Sequence, residues 1–277
     1  MVQIITDSSC LYTPEEAKKA GFLAIPLCIS IGDSHERDLL LDMEDYYKKI
    51  SQGLIPTTSQ PPIGDVIEAF ESYKEDDIIN ISMADGLSGT YQTACSAREM
   101  MDHKDHIIVF NSRTLCGPHQ YMVQKAQEMK ESGCSAQEIF AWLEQAAAQT
   151  ESFLIPQDFS FLKRGGRLTP LAAATGSVLK LKPIMKLTED GKRLDKFGVK
   201  RTMISAAESI AKYLKEKNLG KDHLLYISHA NVLEDAQKIK NLFEQVFPNL
   251  EVRLLQLSAA FVAQGGPRCV AIQYMKR

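Results

Sequence analysis

The sequence predicts a two-lobed α/β protein: a parallel-sheet α/β/α lobe over residues 1–152, followed by a mixed-sheet α/β (α+β) lobe over residues 153–277. Three observations lead there. β-Branched apolar runs bounded by turn residues alternate with longer segments of helical period through the first half, the pattern of βαβ units. After about Thr150 the strands crowd together and a tight turn, Glu189-Asp190-Gly191-Lys192, joins two of them antiparallel. No repeat, low-complexity tract or Pro/Ser-rich linker interrupts a length suited to two domains, so the lobes are expected to pack firmly with a ligand cleft between them.

Each element follows from local pattern. Val2–Thr6, Leu23–Ser30, Asp77–Ser82 and His106–Phe110 read as strands of the first lobe. Pro14–Ala20, Met43–Gln52, Ile63–Lys74, Ser88–Met101 and Cys116–Ser132 read as helices between them. Thr13-Pro14-Glu15-Glu16 supplies a cap, a first-position proline and early acids, while Ser135 with Glu138 has the spacing of a capping box. In the second lobe the strands are Phe153–Pro156, Val178–Leu187, Arg193–Val199, Leu224–Ser228, Glu251–Leu257 and Cys269–Met275. Thr202–Lys217 and Val232–Val246 are its long helices.

Composition narrows the function. A net charge of −3 and a pI near 6.1 give no general basic field, which argues against nucleic-acid binding. Six cysteines lie scattered without a Cys-x-x-Cys pair and read as reduced thiols. Met1 leads straight into a strand, with no charged leader and no apolar run long enough to span a membrane, so a cytoplasmic location is expected and the sequon Asn80-Ile81-Ser82 is read as chance. Metal binding is not expected, since the six histidines lack His-Glu-x-x-His spacing.

Three segments carry chemistry. Leu87-Ser88-Gly89-Thr90-Tyr91 follows a strand and opens a helix, where free N–H groups and a positive dipole end favour an anion. Ser88 can donate to a carboxylate there, and Gly89 lets it approach the backbone; the alternative is that Ser88 only caps the helix. Thr57-Thr58-Ser59-Gln60-Pro61-Pro62, placed between helices without strand character, is either a pre-organised hydroxyl site or a plain turn. Lys163-Arg164-Gly165-Gly166-Arg167 sets unusual backbone beside a guanidinium suited to carboxylate or phosphate, or else is a solvated Gly-Gly turn.

These segments also occur in a recognisable order. Ile4-Ile5-Thr6-Asp7-Ser8-Ser9, Thr58-Ser59-Gln60-Pro61, Leu87 to Ala94, Asn111-Ser112, Phe161 to Leu168 and Leu181-Lys182-Pro183-Ile184 together resemble the successive motifs of the DegV family of fatty-acid-binding proteins. The resemblance implies a two-lobed fold enclosing a long-chain fatty acid, its carboxylate bonded to Thr58 and Ser88, with Ser59, Gly89, Thr90 and Arg167 around the head group. It further implies a carrier that is not itself an enzyme and needs no cofactor: the acyl-carrying subunit of a fatty acid kinase whose separate ATP-using partner makes the acyl phosphate. Arg201 matches a basic position assigned to docking that partner. The chain departs from the family where a His-Thr-Gly-Pro-Gly segment is usual, having Gln264-Gly265-Gly266-Pro267-Arg268 instead. Gln264 can hydrogen-bond but cannot carry a proton, and Arg268 is expected to restore a positive charge there.

A lipid also makes physical sense. A buried carboxylate requires hydrogen bonds or a counter-charge, and an acyl tail contributes about 0.8 kcal/mol per buried methylene before association costs. Leu27, Ile29, Ile31, Phe161, Leu162, Leu168, Leu171 and Leu179 are the expected apolar lining. The alternative function is a serine hydrolase acting on a lipid-like ester, with Ser88 as nucleophile and His119 or His229 as base, although no Gly-x-Ser-x-Gly elbow is present. A nucleotide-binding kinase is disfavoured because neither phosphate-binding glycine motif occurs.

Overall fold

Val2-Gln3-Ile4-Ile5-Thr6-Asp7 forms the first strand, β1 (Val2–Asp7), buried from Ile4 onward. A strand covered on both faces needs no polar alternation, which suits the interior of a parallel sheet. The computed structural model describes residues 1–174 and 181–277, which divide into two units, Met1–Ala148 and Gln149–Arg277.

In the N-terminal unit β1 is followed by α1 (Pro14–Lys19), β2 (Leu23–Ile25), β3 (Cys28–Ile31), β4 (Ser34–Arg37) and α2 (Met43–Ser51). Then come β5 (Thr57–Ser59), α3 (Ile63–Glu71), β6 (Asp77–Ser82), α4 (Thr90–Glu99), β7 (Ile107–Asn111), α5 (Cys116–Glu131) and α6 (Ala136–Ala147). Four strands build a parallel sheet in the order β2-β1-β6-β7. Ile5, Ile78 and Ile107 pack there against Val66 and Phe70 of α3 and Ala94 and Ala97 of α4. Thr6 follows Ile5 and so faces the other side of the sheet, where its Oγ1 lies 2.8 Å from Nε2 of His119 on α5. The expected capping boxes form at Thr13 and Ser135.

Two expectations need correction here. The run Leu23–Ser30 is not one strand: β2 joins the parallel sheet, while β3 lies in a separate antiparallel sheet of order β4-β3-β5. The break falls at Pro26, which has no N–H to give a ladder, and at Leu27, whose N–H donates to Ser8 Oγ at 3.1 Å. Residues Thr57–Ser59, read as a loop without strand character, are the edge strand β5 of that small sheet. Their lack of apolar residues hid them, because pairing with β3 rather than burial makes them a strand.

The C-terminal unit contains β8 (Thr150–Ile155), α7 (Phe159–Gly165), α8 (Pro170–Ala173), β9 (Lys182–Leu187), β10 (Leu194–Lys200) and α9 (Met203–Lys215). It ends with β11 (His223–His229), α10 (Leu233–Val246), β12 (Glu251–Gln256), α11 (Ala259–Gly265) and β13 (Val270–Lys276). Its six strands run in the order β10-β9-β8-β13-β11-β12, antiparallel except for the parallel β11–β12 pair. The predicted hairpin joins β9 to β10, with Gly191 at a φ of 70° that glycine adopts without strain. Phe153, Leu225, Ile227 and Ile272 of the sheet form one core with Ile210 and Leu214 of α9 and Ile239 and Phe243 of α10. The strand expected from Val178 begins at Lys182; Val178 itself, like Leu179, lies outside the described residues. The mixed α/β architecture predicted from the alternation of elements is therefore present in both units.

His119 is fully buried, its ring nitrogens engaged by Thr6 Oγ1, Ser112 Oγ at 3.1 Å and Ser9 Oγ at 3.4 Å. Burial pushes the imidazole below its ordinary value, more strongly than nearby Asp7 raises it. The unfolded chain therefore takes up the proton first, and the stability that neutral His119 contributes is complete above about pH 6.5 and lost as the pH falls below it. Urea midpoints measured from about pH 7.5 to about pH 5.5 should decline, and His119→Asn should flatten that decline whatever it does to absolute stability.

Candidate functional site

The loop that carries Ser88 is fixed before any ligand arrives. Asp7, at the end of β1 and 2% exposed, accepts the Met83 N–H at 2.8 Å through Oδ2 and the Ser9 N–H at 2.9 Å through Oδ1. Thr6 Oγ1 donates to the Ile81 carbonyl at 2.8 Å. On the far side of β6, Ala84 N–H donates to the Thr114 carbonyl at 2.9 Å and Asp85 N–H to Asn111 Oδ1 at 3.2 Å. Residues 83–89 thus leave β6 under control from the ends of β1 and β7. The Thr-Asp-Ser-Ser and Asn-Ser segments are visible in the sequence, but this role for them is not.

Ser88 is half-buried, and its Oγ shares a 2.8 Å hydrogen bond with Thr90 Oγ1 and accepts the Thr90 N–H at 3.3 Å. Helix α4 starts at Thr90 rather than at Ser88, with Gly89 as a cap that offers no side chain. Ser88 therefore stands one residue before the cap. Across β3, Thr58 of β5 pairs directly with Ile29, so their side chains share a face, which Ile31 joins by the two-residue repeat. Thr58 is half-buried beside two buried isoleucines. Ser59 is exposed on the opposite face.

Gln60 connects the two segments. A Cβ placed on Gly89 would lie 3.2 Å from Gln60 Oε1 and 3.3 Å from its Cδ, so the Gln60 side chain rests directly against the Ser-Gly-Thr turn. Sequence reasoning passed over Gln60; its position beside Thr58 in the motif was the one available signal. The structure brings the Thr-Ser-Gln and Ser-Gly-Thr segments together within the N-terminal unit.

In the C-terminal unit α7 ends at Gly165, and Gly166 turns the chain with a φ of 70°. The Arg167 guanidinium donates back to the Gly165 carbonyl through Nη1. Gln264, on α11, lies against the other side of Gly165: a Cβ there would overlap Gln264 Oε1 and come within 4.0 Å of Arg167 Cδ. Gly165 thus separates the two predicted polar residues of this unit. Neither α7 nor α11 was expected, because each is under two full heptads and lacks a long apolar repeat. Arg201 is exposed in the turn between β10 and α9.

Two expectations fail at side-chain level. Leu171, placed among the apolar lining, is 78% exposed on α8; Leu27, Ile29, Ile31, Phe161, Leu162 and Leu168 are buried. Arg268 does not stand in for the missing imidazole: it is 63% exposed, and its Nη2 lies 3.8 Å from Asp235 Oδ2 on α10. The Ser88–His119 pairing a hydrolase would need is also not formed, since Ser88 bonds to Thr90 while His119 is enclosed by Thr6, Ser9 and Ser112. His229 ends β11 in the C-terminal unit, where Nδ1 accepts the Val232 N–H at 3.4 Å.

Comparison with known proteins agrees with the order of motifs. The model of the family described as "Uncharacterised protein, DegV family" matches residues 1–277. A DegV domain-containing protein of Listeria innocua is 32% identical over 263 residues, covering 91% of this chain and 90% of that protein. The crystal structure of DegV from Bacillus subtilis, described as a fatty acid binding protein, is 29% identical with a TM-score of 0.86, covering 100% of this chain and 99% of that one. A DegV family protein from Thermus thermophilus, described by its fatty acid binding, shares the fold at a TM-score of 0.89 with 24% identity over 100% of this chain and 99% of that one.

Asp7→Ala should destabilise the protein by about 2–5 kcal/mol in urea denaturation, because it strands two buried amides, and Asp7→Asn should recover part of the loss by keeping one acceptor. Arg268 has a φ of 64°, in the left-handed region where the family motif closes with glycine. Arg268→Gly should therefore raise stability by about 1 kcal/mol in the same assay.

Proposed function

Because this chain belongs to the DegV family over its whole length, we propose that it binds a long-chain fatty acid, with the carboxylate held by the hydroxyls of Thr58 and Ser88. The observation that carries this reading is the contact of Gln60 with Gly89, which sets the two hydroxyl-bearing segments side by side. The fatty acid binding described for the Bacillus subtilis relative, at 29% identity, supports the same ligand class.

The chemistry follows from the donors at hand. Thr90 Oγ1 can donate to Ser88 Oγ, leaving the Ser88 proton directed at a carboxylate oxygen. Gly89 carries no side chain of its own at the first turn of α4, and the Gln60 amide rests against it there. Thr58 approaches from a face it shares with Ile29 and Ile31, so a hydroxyl and apolar surface for the first methylenes lie together. Arg167 and Gln264 are proposed as further head-group contacts. Ser59, exposed and paired with Cys28, is proposed as a more peripheral head-group contact.

In this reading the fatty acid is a cargo and the protein has no cofactor or catalytic residue of its own. It works in the cytoplasm of a bacterial cell, presenting the carboxylate to a separate ATP-dependent kinase that forms the acyl phosphate. Arg201, exposed in the β10–α9 turn, is a docking contact for that kinase. No helix among the described residues is long and apolar enough to cross a membrane.

Denaturing mass spectrometry of lipid extracted from the purified protein tests the proposal. Wild type should yield a fatty acid in roughly stoichiometric amount. The double variant Thr58→Ala, Ser88→Ala should retain at least about tenfold less, since each hydrogen bond to a charged group contributes about 1.5–3 kcal/mol. Finding no acyl chain in the wild type, or equal retention in the variant, would overturn it.

A further inference from the structure

We propose that Gln60 is a selectivity residue for the head group, its side-chain amide donating a third uncharged hydrogen bond to a carboxylate that Thr58 and Ser88 hold. This inference rests on the fatty-acid reading above and deepens it, since it says which head groups the site prefers.

The backbone fixes where the side chain starts. Gln60 follows the edge strand β5 directly and precedes Pro61, which is buried, and Pro62, which caps α3 without a side-chain hydrogen bond. A residue before proline is held in extended backbone, so the two-residue alternation of β5 carries on and brings Gln60 back to the side that Thr58 faces. The two prolines lock the φ angles that follow it.

Gly89 places the other end of the side chain. A Cβ at that position would meet Gln60 Oε1, Cδ and Nε2 at 3.2, 3.3 and 3.5 Å, so the whole amide lies across the glycine between Ser88 and Thr90. The φ of Gly89 is −72°, a value open to any residue, so the conformation of the turn does not call for glycine. What glycine supplies there is room for the Gln60 amide.

The amide is placed but not used within the protein. Ordering a glutamine costs rotamer freedom, and among the described residues no hydrogen bond engages either end of this one. Its polar neighbours are committed elsewhere: the Ser88 and Thr90 hydroxyls share their own 2.8 Å bond, and Asp85, the one carboxylate of residues 83–89, accepts from Gln92 Nε2 at 3.2 Å. Gln60 thus keeps two N–H donors open beside the Ser88 hydroxyl. A hydrogen bond to an ionised acceptor is about twice as strong as one to a neutral acceptor, so these donors favour a carboxylate over an uncharged head group of the same size.

Calorimetric titration of the full-length protein with palmitate and with palmitamide, its neutral isostere, tests this at about pH 8, where a carboxylate is ionised. Gln60→Glu keeps the shape over Gly89 and sets a negative charge against that of the ligand. It should move the ratio of the two affinities at least about tenfold toward palmitamide. Gln60→Met keeps the bulk, removes the donors and should move the ratio the same way by about threefold; it decides alone if the first variant does not fold. A residue that only props the turn would weaken both ligands alike. An unchanged ratio in a variant that still binds palmitate therefore overturns the inference and leaves the fatty-acid reading standing, whereas a wild type that binds neither ligand sinks both.

Discussion

The N-terminal unit depends on a buried carboxylate. Asp7 sits at the end of β1 with its two oxygens committed to two backbone amides, one at the start of the Ser88 loop and one in its own turn. Burying a carboxylate is costly unless its charge is met by directed donors, and amides fixed in a sheet are donors that need no reorganisation. The loop cannot drift from β1 without stranding that charge. Anchoring at Thr114 and Asn111 on the other side completes a strap that delivers Ser88 to one place. The residues nearest the proposed head group are thus fixed by residues that do not touch it.

The same logic separates what each unit can offer an anion. The N-terminal unit presents hydroxyls, a glycine and a helix start, all neutral groups that hydrogen-bond without bringing a full counter-charge. In the C-terminal unit the charge comes from guanidinium groups seated on carbonyls of a Gly-Gly turn. Neutral donors recognise the shape of a head group, whereas guanidinium groups weigh its charge.

Much of the architecture was legible because burial on both faces leaves continuous apolar runs. Val2–Asp7, Asp77–Ser82 and His223–His229 show themselves by composition alone. The small sheet did not, because β4 and β5 are short and polar and owe their conformation to partners across a turn or in a distant segment. The hairpin turn Gly32-Asp33 before β4 was a usable signal that the apolar run preceding it obscured. In the candidate site the motif residues could be named from sequence, but not their contacts. Nothing local to Gly89 announces Gln60, and nothing local to Gly165 announces Gln264, since both are long-range packing facts. The placement of Leu171 failed for a related reason: an apolar residue type does not determine which face of a four-residue helix meets solvent.

Gln264 carries the argument one step further. The family's imidazole at this position would change charge near neutral pH, whereas an amide presents the same donor and acceptor at every pH. Gln264 packs closely against its neighbour, since any side chain at 165 would collide with its Oε1. Arg268, 63% exposed, is directed at Asp235 rather than taking the place of the imidazole. The groups proposed to meet the head group are then threonine, serine, glutamine and arginine, none of which gains or loses a proton between about pH 5 and 9. On the proposed reading, head-group recognition takes its pH dependence from the ligand's own acid group.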